Sequence, residues 1–284
     1  MNHLLFIAFN KDGYPYSIWE EYYGSPAINS TKNTYNTNIS ISSNFFLLSS
    51  NFKDLSDGAI YCNKDYIKFL HSLCTFTNVR RQSSGGGSIY FLCNSSIVQD
   101  KFCSIRCYVS GNGLYSFANV ISINNKNYVN LSSLYQCGRN NIGNYALNHV
   151  NGNKTLVSTN ITQTKCRQYA GYYFNTDPVN VNYCCFDSNE NPGSYASMGH
   201  IFGQDSSIKR SLFLRNQCLI GDSYDGLISC QFSNLTISEC IFIDNKANFV
   251  FSAANNDRTV ITVINCFGHN LTASSTTGGK IYTN

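Results

Sequence analysis

The sequence predicts an all-β fold, a parallel β-helix of about nine coils with roughly 27–28 residues in each. Three observations predict it. A glycine followed by a short apolar strand recurs, as Gly58-Ala59-Ile60-Tyr61, Gly87-Ser88-Ile89-Tyr90, Gly171-Tyr172-Tyr173-Phe174, Gly199-His200-Ile201-Phe202, Gly226-Leu227-Ile228 and Gly279-Lys280-Ile281-Tyr282. A Phe-x-x-Asn tetrapeptide alternates with it, at Phe186 and Asn189, Phe213 and Asn216, Phe242 and Asn245, and Phe267 and Asn270. Only 13% of the residues are charged, against about 25% in an average domain. Long ladders of stacked strands favour that scarcity, because like charges would otherwise sit above one another.

Extended to weaker members, the first series runs Gly58, Gly87, Gly113, Asn144, Gly171, Gly199, Gly226, Asn248, Gly279. The second runs Phe46, Phe76, Ile105, Tyr135, Cys166, Phe186, Phe213, Phe242, Phe267, with its shortest step between Cys166 and Phe186. The two series alternate without exception and advance at one mean rate, as two anchors on a common structural unit must.

The elements follow in chain order. Residues 1–38 lack the repeat and hold the only tryptophan, Trp19. They read as an N-terminal cap over the first coil, because an open solenoid end is an unpaired edge, or as a leader. A length of 284 residues could hold two domains, but the repeat is continuous over residues 39–284 and makes them one unit. Within a coil, Val179-Asn180-Val181-Asn182-Tyr183-Cys184 and Leu235-Thr236-Ile237-Ser238-Glu239-Cys240 alternate apolar with polar residues, the period of a strand. Phe-slot side chains are expected to point inward and stack. The Asn three residues on is expected to turn the corner, since Asn tolerates left-handed backbone, and to bond its neighbour one coil away. Nine coils at roughly 4.8 Å give a rod about 40 Å long. Gly278–Asn284 reads as the opening of a further coil, an edge that invites end-to-end self-association.

Thirteen cysteines fall on repeat slots, Cys74, Cys184 and Cys240 two residues before a phenylalanine and Cys62, Cys93 and Cys230 after the glycine strand. That placement fits a ladder of small buried side chains, with disulfides between coils open to an oxidising compartment. No Cys-x-x-Cys and no histidine at ligand spacing supports a metal site, and no cofactor is expected. No run of apolar residues is long enough for a transmembrane helix. Lys and Arg are scattered along the chain, with Arg80-Arg81 and Lys209-Arg210 as isolated pairs, short of the basic stripe that nucleic acid requires. Sequons such as those at Asn38, Asn94 and Asn130 are as frequent as chance gives in a chain this rich in Asn, Ser and Thr.

These tetrapeptides resemble the GGA[ILV] and FxxN repeats of chlamydial polymorphic outer-membrane proteins and of the related expanded set in trichomonad parasites. Gly86-Gly87-Ser88-Ile89 and Asp57-Gly58-Ala59-Ile60 are imperfect GGAI copies, and the four Phe-x-x-Asn copies match outright. The resemblance covers about residues 40–284, and Gly87-Ser88-Ile89-Tyr90-Phe91-Leu92-Cys93-Asn94 is closest to the trichomonad sequences. It implies a right-handed parallel β-helix in a cell-surface or secreted protein with an adhesion role, whose partner is a host or cell-surface protein or glycan. The chain lacks the autotransporter barrel of the bacterial members.

The rival class is a pectin-type hydrolase, which uses the same fold and needs an acid, two carboxylates that position water, and a nearby His and basic pair. The candidate residues are Asp177, Asp205, His200 and Lys209. Asp177 and Asp205 lie about one coil apart and could share a face. However, Gly203-Gln204-Asp205 is followed by Ser206, which leaves out one carboxylate, and His200 precedes the acid. The expectation is therefore a non-catalytic, extracellular interaction module, with the hydrolase or a truncated inactive paralogue as alternatives.

Overall fold

In the computed structural model the described residues are 15–24, 30–32, 38–82, 85–138, 142–176, 178–193, 197–203, 205–218, 226–254, 258–275 and 279–284. They form a parallel β-solenoid of about eight turns. Three long sheets of ten, eleven and nine strands make its faces, and sheets of two and three strands close part of the remaining side. One coil shows the plan. Ile89–Cys93 lies on the first face, Ser96–Asp100 on the second, Cys103–Ile105 on the third, and Tyr108–Val109 leads back to the first. Each strand pairs in parallel with its counterpart one coil away. The nine strands of the third face enclose eight coil-to-coil steps, which is how the nine expected coils become about eight turns.

The register corrects the phase of the second repeat in the N-terminal half. On the third face the inward residue is Phe52, Phe76, Ser104, Leu134, Ile161, Phe186, Phe213, Phe242 and then Gly268. Ile105 and Tyr135 are one residue out of phase with this ladder and Cys166 five. Phe46 belongs to the second face, where it points outward. Phe267 also departs from the expected ladder. It pairs with Ile241 in place of Phe242 and is 70% exposed, while Gly268 takes the inward slot. Gly279 likewise leads a second-face strand, Lys280–Thr283, which pairs with Val260–Ile264 and so does not open a new coil. Where the phase is right the ladder is regular: Phe186, Phe213 and Phe242 stack at 4.9 Å and 4.9 Å, tilted by 13° and 8°.

The corners are made by left-handed backbone at residues other than glycine. Ser49, Leu73, Lys101, Leu131, Ser158, Tyr183, Arg210, Glu239 and Asn265 turn the second face into the third, all at φ between 46° and 57°. The residue after each of these is small in most coils, and its hydroxyl or thiol reaches a main-chain carbonyl across the turn. Cys184 Sγ lies 3.4 Å from Asn182 O and Ser211 Oγ 2.8 Å from Lys209 O. This contact explains why cysteine and serine interchange at that slot.

The next corner falls at Asp54, Asn78, Arg106, Gln136, Gln163, Ser188, Arg215, Asp244 and Asn270, two residues past the inward slot. The Asn of Phe-x-x-Asn is therefore not the corner residue in the three regular copies. It lies one residue later and is turned inward. Asn189 Nδ2 donates to Asn216 Oδ1 at 3.0 Å, and Asn216 Nδ2 to Asn245 Oδ1 at 2.9 Å. The main-chain N–H groups of Asn189 and Asn216 also donate to those oxygens. An asparagine suits this slot because one side chain satisfies two coils at once.

The helix Pro15–Tyr23 lies along the flank of the second face rather than over an end. Trp19 is buried against Phe46, Leu70 and Val98. Tyr22 Oη donates to Asp100 Oδ1 at 3.0 Å and accepts from Asn130 Nδ2 at 2.7 Å. The outward phenylalanine at position 46 thus has its partner in the segment outside the repeat. The end of the second sheet is covered instead by Ser30–Lys32, paired with Phe45–Leu48, so the solenoid begins before residue 39.

Candidate functional site

The three hydrolase candidates among the described residues, Asp205, His200 and Lys209, do not come together. Asp177 lies outside the described residues. Asp205 is exposed just before the strand Ser206–Lys209, and its Oδ1 accepts from Asn234 Nδ2 at 2.8 Å. Lys209 is exposed at the far end of that strand, about 13 Å from Asp205 at 3.3 Å per residue. His200 stands on the neighbouring first face, only 5% exposed, with its ring 5.4 Å from that of Tyr173 and 5.0 Å from that of Tyr169. Burial lowers its pKa to about 4. His200, a neutral imidazole held among tyrosines, and Asp205, a surface carboxylate on another face, do not form an acid–base pair with each other. Among the described residues no three His, Cys, Asp or Glu side chains are placed to hold a metal ion.

The surface concavity lies elsewhere. A groove of about 510 Å³ runs beside the third face, lined by Asp54, Asn78, Arg80, Arg106, Tyr108, Gln136 and Gly138. Two rows of side chains make its walls. One is the corner row, where Asn78 Nδ2 donates to Asp54 Oδ1 at 2.9 Å, Arg106 Nε to Gln136 Oε1 at 3.3 Å, and Gln136 Nε2 to Gln163 Oε1 at 3.0 Å. The other is the short strand that follows, where Arg80 and Tyr108 pair in register and Arg80 Nη1 donates to Tyr108 Oη at 3.1 Å. Gly138 then interrupts that wall with a residue at φ 84°, a backbone angle that glycine adopts without strain. No carboxylate forms an ion pair with Arg80 or Arg106 among the described residues. Further along the rod the basic side chains of these edges are neutralised, Arg215 by Asp187 at 2.6 Å and Lys165 by Glu190.

A smaller pocket of about 200 Å³ opens at Asn38, Asp57, Tyr61 and Arg81. Here Arg81, 8% exposed, lays its guanidinium over Tyr61 at 5.8 Å and Tyr90 at 5.5 Å. The adjacent Arg80 and Arg81 therefore have opposite fates, one in the groove wall and one packed on aromatic rings, as the alternation of a strand dictates.

Sequence reasoning missed this groove, although a signal existed. With the third-face ladder in its true phase, Asp54, Asn78, Arg106 and Gln136 fall two residues past successive inward slots and stack at once. Fold and surface together define a class, a parallel β-solenoid whose concave, polar side bears two arginines that form no ion pair among the described residues. Beyond that class, no protein-family model and no curated protein matches the chain. Among the described residues no helix is long and apolar enough to cross a membrane.

Proposed function

We propose that the chain is a non-catalytic interaction module of the cell surface or extracellular space, and that the Arg80–Arg106 groove receives an anionic host or cell-surface protein or glycan. The observation that carries this reading is the pair of guanidinium groups on a concave wall, hydrogen-bonded to neutral partners and in no ion pair among the described residues, with Asp54 of the same lining bonded to Asn78 instead. Arginine's planar fork suits carboxylate, sulfate or phosphate oxygens. The resemblance of the repeats to adhesin-like surface proteins supports the same reading.

The test is binding of the full chain to a panel of carboxylated, sulfated and neutral glycans and of cell-surface proteins, at low and physiological salt. Arg80→Ala with Arg106→Ala should weaken the best ligand roughly tenfold or more, with circular dichroism unchanged. Release of reducing sugar from pectin-like polymers, lost in Asp205→Ala, would replace this reading with the hydrolase. Protein confined to the cytosol of intact cells in surface labelling would remove the adhesin role.

A further inference from the structure

Thirteen thiols are present and none is bonded to another, yet their placement is not uniform. Cys107 and Cys137 occupy one slot on successive coils, as do Cys240 and Cys266. In both pairs the thiols contact each other and also lean in parallel toward main-chain carbonyls, Cys107 Sγ to Phe76 O at 3.5 Å and Cys137 Sγ to Ser104 O at 3.7 Å. Cys240 and Cys266 do the same toward Ile208 O and Ile237 O, at 3.7 Å and 3.6 Å.

Cys62 and Cys93 differ. They come from the ends of adjacent first-face strands, Cys62 opposite Phe91 and Cys93 two residues further on, so their side chains approach diagonally across the step. Their sulfurs face each other at 3.7 Å. Both are almost fully buried, at 1% and 2% exposure, but the exposed turn 63–66 follows Cys62 directly. That turn is already tied to the next coil, with Asn94 N donating to Asp65 Oδ1 at 2.7 Å and Ser95 Oγ to Lys64 O at 2.8 Å. The two segments are therefore held side by side next to the thiol pair.

We infer that Cys62 and Cys93 are a disulfide site, where oxidation closes the 3.7 Å gap between the two sulfurs by a local shift of the turn and staples two coils. The oxidant is a small-molecule disulfide such as oxidised glutathione. The Cys62 thiolate attacks one of its sulfurs and expels a glutathione thiolate, leaving a mixed disulfide on Cys62. The Cys93 thiol gives its proton to solvent, and its thiolate attacks the Cys62 sulfur and releases the second glutathione. The protein loses two hydrogen atoms as one glutathione disulfide becomes two glutathione thiols. Cys62 is the fitting nucleophile, because the contact with Cys93 lowers its pKa while that of Cys93 is raised.

The test is refolding of the full chain in excess glutathione disulfide or in reductant, followed by alkylation and non-reducing peptide mapping. The expected result is a Cys62–Cys93 cross-link with the remaining thiols alkylated, and a melting temperature raised by roughly 5 °C over the reduced chain. Cys93→Ser should abolish that rise. Cys62→Val serves as a second variant, since Ile41 already packs opposite Cys62 in the preceding coil, and Cys240→Ser should retain the rise. Thirteen alkylated thiols after oxidative refolding, or a cross-link between another pair in place of this one, would overturn the inference.

Discussion

The two halves of the rod solve the same packing problem with different chemistry. In the C-terminal half the inner corner is Asn189, Asn216 and Asn245 beside Phe186, Phe213 and Phe242, identical side chains repeated coil after coil. In the N-terminal half the equivalent corner is Leu55, Val79, Cys107, Cys137 and Thr164, beside Phe52, Phe76, Ser104, Leu134 and Ile161. That half also encloses a polar cluster. Ser116 Oγ lies 2.8 Å from His149 Nε2, Gln99 Nε2 lies 3.3 Å from the same nitrogen, and His71 Nε2 lies 3.5 Å from Gln99 Oε1. A stacked strand demands matched registers and filled volume, not one residue type. The amide ladder is one solution and mixed apolar packing another.

Acid should separate the halves most strongly. Burial, joined at His149 by the nearby charge of Lys154, lowers the pKa of His71 and His149 to about 3. In the unfolded chain each returns to about 6.5, so between pH 6.5 and 3 the unfolded state binds more protons and stability falls as the pH falls. The expected loss is on the order of 1.4 kcal/mol per pH unit for each fully neutral histidine. The C-terminal half carries one such histidine, His200 at about 4, against two in the N-terminal half, so hydrogen exchange at pH 5 should show residues 68–157 losing more protection than residues 179–264. Equal loss of protection along the whole rod would erase the contrast. His71→Leu should flatten the pH dependence of denaturant unfolding, because the preceding coil already carries Leu47 at that register.

A second comparison concerns the inner corner itself. Asn216→Ala removes two donors and an acceptor from a buried ladder, leaving Asn189 N, Phe186 O and Asn245 Oδ1 short of a partner. The expected cost is about 3 kcal/mol in urea unfolding. Val79→Ala at the matching slot removes only buried methyl groups, and about 1–2 kcal/mol is expected. Equal costs would mean that the amide ladder adds nothing beyond its volume.

The smallest effect tests the outer corner. Leu131 and Asn265 hold the same left-handed turn at φ 48° and 51°. Asparagine tolerates that backbone and leucine does not, so Leu131→Gly should stabilise by up to about 1 kcal/mol while Asn265→Gly changes little. A thermal melt distinguishes the two, and a destabilised Leu131→Gly would show that the exposed leucine contributes by packing.

The period, the strand class and the Phe/Asn ladder are legible in the C-terminal half, because identical residues recur where identical contacts recur. In the N-terminal half the phase is not legible. Phe45 and Phe46 are adjacent and equally apolar, and only the helix Pro15–Tyr23 decides which of them faces out: Phe46 packs beneath Trp19 while Phe45 packs against the core. The groove was hidden by the same slip, since its corner residues line up two past the inward slots only when the ladder is in its true phase. Its arginines look like scattered charge until Arg80 and Arg106 are placed on neighbouring coils.

The sequence by itself determined that this protein is a stack of parallel coils, because a repeat of hydrophobic slots can bury its surface only against another copy of itself. The tertiary structure alone decided which side of each strand faces out, which thiols meet and which charges are left without an opposite. Those depend on register between coils, and a shift of one residue reverses every side chain.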